Sequence, residues 1–192
     1  MADPHDVLKT HLRSALRGRR RTLAQDVPSA AEDAAALLPA NRLPPFQVVS
    51  GYHPIGDELD PRPLMARFRE LGASLALPVT LDRETPLVFR LLTQEAEPDA
   101  FGIPAPPPTA PEVLPDLVIA PLLAFDRRGG RLGQGGGHYD RTLANLRAAK
   151  AVFVLGLGYA GQEVERVPMG PLDQRLDAIL TEIGYSEVRK DV

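Results

Sequence analysis

The chain has 192 residues, of which 44% are hydrophobic, and carries a formal net charge of -3. That is long enough to bury a core as one domain over 1–192, and too acidic for a dedicated nucleic-acid binder. There is no cysteine, so disulfides, zinc–thiolate sites and cysteine nucleophiles are excluded. The start of the chain shows no secretory leader, and the longest apolar run, around Leu117 to Phe125, falls well short of the roughly 20 residues that span a bilayer. A cytoplasmic monomer with no membrane or nucleic-acid partner is expected.

In chain order, Val7 to Leu23 reads as an amphipathic helix. At about 100° per residue, Leu8, Leu12, Leu16 and Leu23 share one ~80° arc, and Lys9, Arg13, Arg17 and Arg20 occupy the arc beside it. Ser29-Ala30-Ala31-Glu32 has capping-box spacing, and the alanine-rich run to Leu38 reads as a second helix closed by Pro39. Gln47 to Tyr52 is a short strand, followed by a turn at His53-Pro54-Ile55-Gly56. Asp60-Pro61 looks like an N-cap with proline at the first helical position, and Gly72 suits the far end of that helix. Strands are expected over Ser74–Leu77 and Leu87–Leu92, and the proline-rich stretch 98–115 is expected to be an irregular surface loop. Asp116 to Ala120 resumes as a buried strand. A helix over His138–Ala148 and strands over Val152–Leu157 and Ala178–Leu180 complete the series. Strands alternating with helices, with little polar alternation, predict an α/β fold: an open, mainly parallel sheet with helices on both faces. Ligands of such sheets bind beyond the carboxyl ends of the strands, which is where the loop after Ala120 lies.

That loop is the densest signal in the chain. Gly129, Gly130, Gly133, Gly135, Gly136 and Gly137 can adopt backbone conformations closed to other residues, and Arg127, Arg128 and Arg131 can offer forked donors to phosphate oxygens. A helix start follows, whose amides favour an anion. The pattern is neither a Walker loop nor a dinucleotide fingerprint. A flexible surface loop remains the alternative, because glycine clusters are common. Asp126, Asp140 and Asp173 are candidate magnesium carboxylates, although Asp140 could act only on its helix dipole and Asp173 only as a cap. Glu58 is either an exposed acid or a binding carboxylate at the end of the first strand. Phe101 and Tyr139 could each stack on a planar heterocycle or simply pack in the core. His138 has no partner in view, and no Ser-His-Asp order or metal-type histidine pair is evident.

The run Ala124-Phe125-Asp126, Gly129, Arg131-Leu132-Gly133, Gly135, Gly137 and Tyr139-Asp140 resembles the signature of the 5-formyltetrahydrofolate cyclo-ligase family. Lys9-Thr10-His11-Leu12-Arg13, Asp57-Glu58, Phe101-Gly102-Ile103-Pro104 with Pro106, and the tail from Pro168 to Glu182 are similar to further family segments. The resemblance implies an ATP- and magnesium-dependent conversion of 5-formyltetrahydrofolate to 5,10-methenyltetrahydrofolate, through phosphorylation of the formyl oxygen. It assigns Lys9, Arg13 and Arg131 to the ATP phosphates, together with the segment Leu132, Gly133, Gln134, Gly135, Gly136, Gly137, His138 and Tyr139. Glu58, Tyr139, Phe101 and His53 fall to the folate, Asp140 and Asp173 to magnesium, and catalysis to Arg131 and Tyr139. The chain departs from the pattern at His138, Gln134, Gly136 and Ala105, which leaves a non-catalytic folate- or nucleotide-binding relative as one alternative. A sugar-phosphate or CoA-ester enzyme on a similar sheet is the other.

Overall fold

The computed structural model describes residues 4–188, with side chains from Lys9 onward. Seven strands form its main sheet: β1 (Val48–Ser50), β2 (Ser74–Val79), β3 (Val88–Leu91), β4 (Leu117–Pro121), β5 (Phe153–Leu157), β6 (Ala178–Thr181) and β7 (Gly184–Glu187). Their order is β7-β6-β5-β4-β1-β2-β3. Strands β6, β5, β4, β1 and β2 run parallel, and the two edges, β3 against β2 and β7 against β6, are antiparallel. The expected α/β architecture is thus present, with the sheet mostly parallel and its edges reversed.

The parallel strands are buried on both faces, which is why they read as continuous apolar runs. In β4, Leu117 and Ile119 point to one face and join a core with Ala30, Ala34, Leu64 and Phe68. Val118 and Ala120 point to the other and meet Leu143 and Leu146. The first face is covered by α2 (Ala30–Ala36) and α3 (Arg62–Glu70), the second by α4 (His138–Ala149). Helix α1 (Pro4–Asp26) lies beside them; its Leu16, with Leu12, packs on Ala124, Leu132 and Val167, while the Leu8 side chain lies outside those described.

Several local expectations are corrected. The first strand is shorter than Gln47–Tyr52 at both ends, and at its start the Asp116 carboxylate takes the Gln47 and Val48 amides at 2.8 and 2.9 Å. At the start of α2 no capping box forms. Ser29 has φ -87 and ψ 2 rather than the extended backbone an N-cap needs, and its hydroxyl donates to the Asp33 carboxylate at 2.8 Å. Helix α3 begins one residue after Pro61, while Asp60 Oδ1 accepts the Arg62 amide at 2.9 Å. The stretch 98–115 is not irregular throughout: Glu97–Pro98 pairs with Pro104–Ala105 in a short ribbon that carries Phe101 at its turn. A second ribbon, Ala124–Phe125 with Arg131–Leu132, closes the glycine loop at its base, and β7 adds a strand the sequence did not suggest.

Candidate functional site

At the carboxyl edge of the parallel strands, the segments after β1, β2 and β4 enclose a cavity of about 550 Å³. Every residue that the family resemblance assigns lines it, namely Lys9, Arg13, His53, Glu58, Phe101, Arg131, Leu132, Gly133, Gln134, Gly135, Gly136, Gly137, His138, Tyr139, Asp140 and Asp173, whereas Asp126, Arg127 and Arg128 do not. Residues 164 positions apart in sequence meet here, since Lys9 pairs with Asp173.

The glycine loop is held by its own carboxylate. Asp126 is 2% exposed and accepts the amides of Arg128 (2.8 Å), Gly130 (2.9 Å) and Val167 (2.8 Å). It is therefore an organiser of the loop and not the metal ligand it could have been. Beyond it the chain crosses the cavity with φ +108 at Gly135 and +67 at Gly137, the left-handed region that glycine enters at least cost. A Cβ on Gly135 would stand 3.2 Å from Arg13 Cζ, so the bare backbone is also what lets α1 approach. Arg13 Nε donates to the Gly133 carbonyl at 2.9 Å, which fixes the basic stripe of α1 against the loop.

Arg131 is not the surface residue that a glycine-rich loop suggests. Its side chain is 4% exposed, and Nη2 donates to Asp140 Oδ1 at 2.9 Å. Its buried Nε has no partner among the described residues, and its Cζ stands 5.5 Å from the centre of the Tyr139 ring. Arg127 and Arg128 point away from the cavity; both are exposed, and Arg127 pairs with Glu163 at 2.7 Å. Burial, and then the Glu58 charge, push the Tyr139 hydroxyl far above its ordinary range, so it is protonated at neutral pH. That hydroxyl too is buried without a partner among the described residues.

The other half of the cavity is more apolar. Glu58, far from being an exposed acid, has a side chain only 6% exposed, and its Oε2 accepts the Ile55 amide at 3.0 Å. Phe101 and His138 meet edge to face with ring centres 5.7 Å apart. Burial, reinforced by Arg141, holds the His138 imidazole below its usual value and hence neutral at pH 7. Tyr52, Thr80, Leu87 and Asp99 also line the cavity, and none stood out in the sequence; Ile103, from the family-like segment, lines it too. Tyr52 carried no motif and anchors its loop by donating to the Leu59 carbonyl.

Asp99 shapes the Phe101 turn. Oδ1 accepts the amides of Phe101 (2.8 Å) and Ile103 (3.0 Å), and Oδ2 that of Thr80 (3.1 Å). Burial alone would raise the Asp99 carboxyl, but the Ile103, Phe101 and Thr80 amides outweigh it and hold it below the usual carboxylate range. A depressed carboxyl supports the folded turn above the unfolded value of about 3.9 and loses that support only as pH falls through its lower folded value. The turn is therefore expected to stay ordered through mild acid. Asp99→Ala should loosen it and raise the KM of whichever ligand rests on Phe101 by about threefold, with little change in kcat, as steady-state kinetics would show.

Among the described residues no group of three or more His, Cys, Asp or Glu side chains is arranged to enclose a metal ion. Asp140 and Asp173 nevertheless each keep one oxygen free of donors among the described residues. The donors to Asp140, Arg131 and the Gln174 amide, share Oδ1, and those to Asp173, Lys9 and the Gly170 amide, share Oδ2. This donor set suits a hard cation that takes one or two carboxylates and completes its shell with ligand oxygens and water.

Sheet and cavity together define an α/β protein whose strand edge carries a cationic, glycine-rich half-cavity beside a more apolar one. A profile of the 5-formyltetrahydrofolate cyclo-ligase family matches residues 6–182. The 5-formyltetrahydrofolate cyclo-ligase of Mycolicibacterium smegmatis is 30% identical over 184 residues, which cover 90% of this chain and 93% of that one. The enzyme of the same name from Escherichia coli K12 is 37% identical over 131 residues, covering 65% and 71% of the two chains. The structure of 5,10-methenyltetrahydrofolate synthetase from Aquifex aeolicus superimposes with a TM-score of 0.77 at 27% identity, over 96% of this chain and 95% of that one. The chain belongs to the 5-formyltetrahydrofolate cyclo-ligase family, whose members are ligases of folate one-carbon metabolism.

Proposed function

We propose that residues 1–192 act as one domain that cyclises 5-formyltetrahydrofolate to 5,10-methenyltetrahydrofolate at the expense of ATP. The observation that carries this is the meeting of Lys9, Arg13 and Arg131 around a glycine loop, next to a slot bounded by Glu58, Phe101 and Tyr139. An amide carbon is a poor electrophile. Moving the γ-phosphoryl group from ATP to the formyl oxygen leaves ADP and makes that oxygen part of a good leaving group. The N10 lone pair then attacks the activated carbon, N10 loses its proton, and the C–O bond breaks to release phosphate.

Such a reaction needs positioning and charge neutralisation more than a protein nucleophile. Lys9, Arg13 and Arg131 supply cations for the phosphates, and the backbone from Leu132 through Gly133, Gln134, Gly135, Gly136 and Gly137 to His138 and Tyr139 supplies close-approach amides. Glu58 accepts hydrogen bonds from the pterin, Phe101 and Tyr139 flank the folate, and His53 stands exposed at the mouth of its slot. Arg131 and the protonated Tyr139 hydroxyl lie where the two substrates meet and are the catalytic donors. Magnesium would be held by Asp140 and Asp173, and when bound it neutralises charge on the triphosphate.

Because residues of a single chain close the cavity, we take the monomer as the working unit. We place it in the cytoplasm, where a chain without cysteine needs no oxidising environment. The purified chain, given 5-formyltetrahydrofolate, ATP and magnesium, should produce the near-ultraviolet absorbance of the methenyl product. No ATP-dependent signal would overturn the assignment. Calorimetric folate binding without turnover would point instead to a non-catalytic relative.

A further inference from the structure

The basic stripe of α1 continues past the cations that meet the glycine loop. Arg20, two turns beyond Arg13, is 5% exposed, whereas Arg17, Arg19 and Arg21 around it are exposed. Its Nη1 lies 3.4 Å from Glu58 Oε1 and 3.4 Å from the Leu122 carbonyl oxygen. The guanidinium therefore bridges the segment after β1 to the segment after β4, standing behind the cavity wall while Glu58 lines the cavity itself. Gln134 Nε2, from the glycine loop, reaches the same Oε1 at 3.4 Å.

We propose that Arg20 is a positioning residue, which fixes the orientation of the Glu58 carboxylate as it receives the folate heterocycle. The proposal rests on the assignment of Glu58 to the folate. Stability alone accounts poorly for this pair. A buried ion pair contributes little net stability compared with apolar side chains of similar volume. Here the arrangement also leaves the buried Arg20 Nε without a partner among the described residues, a further cost that a packing role would not require. The other titratable groups against Glu58 are the hydroxyls of Tyr52 and Tyr139; both are pushed upward, first by burial and then by the Glu58 charge. Neither hydroxyl can supply positive charge; the Ile55 amide holds Oε2 and Gln134 shares Oε1, and Arg20 is the cation paired with the carboxylate among the described residues.

The test is a cycle of Arg20→Met, Glu58→Gln and the double variant, with Arg20→Lys as the conservative control. 5-Formyltetrahydrofolate binding is measured by calorimetry without ATP, and both KM values and kcat in the full assay. Arg20→Met should weaken folate binding and raise the folate KM by about tenfold, and leave the ATP KM and kcat within about threefold. Arg20→Lys should recover part of the loss. In the Glu58→Gln background, Arg20→Met should add less than about twofold, because the two residues act through one contact. Independent, additive losses would overturn the proposal, as would unchanged folate binding or an equal rise in both KM values. If Arg20→Met does not fold, Arg20→Lys carries the same comparison: a loss confined to folate supports the role, and equal losses for both substrates refute it. A wild-type chain that binds folate without turning it over would sink the catalytic assignment yet leave this cycle readable.

Discussion

Replacing Arg131 by alanine should lower kcat/KM for ATP by about a thousandfold, the scale at which removing a transition-state arginine acts in phosphoryl transfer. The residue sits at the base of the glycine loop with its side chain 4% exposed and its Nε free of protein partners among the described residues, which on the proposed reading leaves a fixed guanidinium for developing phosphate charge. The same substitution will not be structurally silent. It strips Asp140 Oδ1 of one donor and leaves it the Gln174 amide at 3.0 Å. The Asp140 side chain is 24% exposed, so the cost lies between that of a surface pair and that of a fully buried one, about 2 kcal/mol. For a chain of this size the melting temperature should fall by roughly 4–8 °C. Arg131→Lys keeps the charge but not the fork, and should recover only part of the rate. Pairing Arg131→Met with Asp140→Asn should restore stability without restoring activity. Unchanged ATP kinetics in Arg131→Ala would remove Arg131 from the catalytic group.

How much of this was legible in the sequence depended on whether the information was local. The glycine loop announced itself because backbone freedom, a basic residue and a helix start follow one another within a few positions. The approach of Lys9 and Arg13 rested on the family resemblance alone: the leucine stripe says that α1 must dock, but only the fold shows that Leu12 and Leu16 settle beside Leu132 and carry the neighbouring cations onto the loop. What stayed hidden was set by partners distant in the chain. Nothing near Asp99 says that its carboxylate will gather the Phe101, Ile103 and Thr80 amides, and so the prolines around it concealed a ribbon. Asp126 looked like a metal ligand because its three amide partners, one of them Val167, come together only once the loop has folded. Arg127, Arg128 and Arg131 are indistinguishable by composition; the first two fall in the exposed turn of the second ribbon, while Arg131 lies on its return strand and is buried. Strand β7 escaped notice because its turn, Glu182-Ile183, carries none of the usual glycine or asparagine.

Tyr139→Phe separates chemistry from packing by the sign of its effects. The Tyr139 hydroxyl is buried with no partner among the described residues, so removing it from the free protein takes away an unpaired polar group and should leave the melting temperature unchanged or slightly raised. The ring, and with it the Arg131 contact at 5.5 Å, remains. Burial keeps the hydroxyl protonated far above neutral pH, which fits it to donate a hydrogen bond and not to act as a base. If that bond goes to an oxygen gaining charge as the formyl group is activated, its loss should lower kcat by about tenfold to a hundredfold while both KM values change little. The pH profile should keep its shape between pH 6 and about 9, since no titration of Tyr139 falls within that window. A fall in stability that parallels the fall in rate would mean that the hydroxyl serves the core. A variant as active as the wild type would remove the Tyr139 hydroxyl from the proposed catalytic donors.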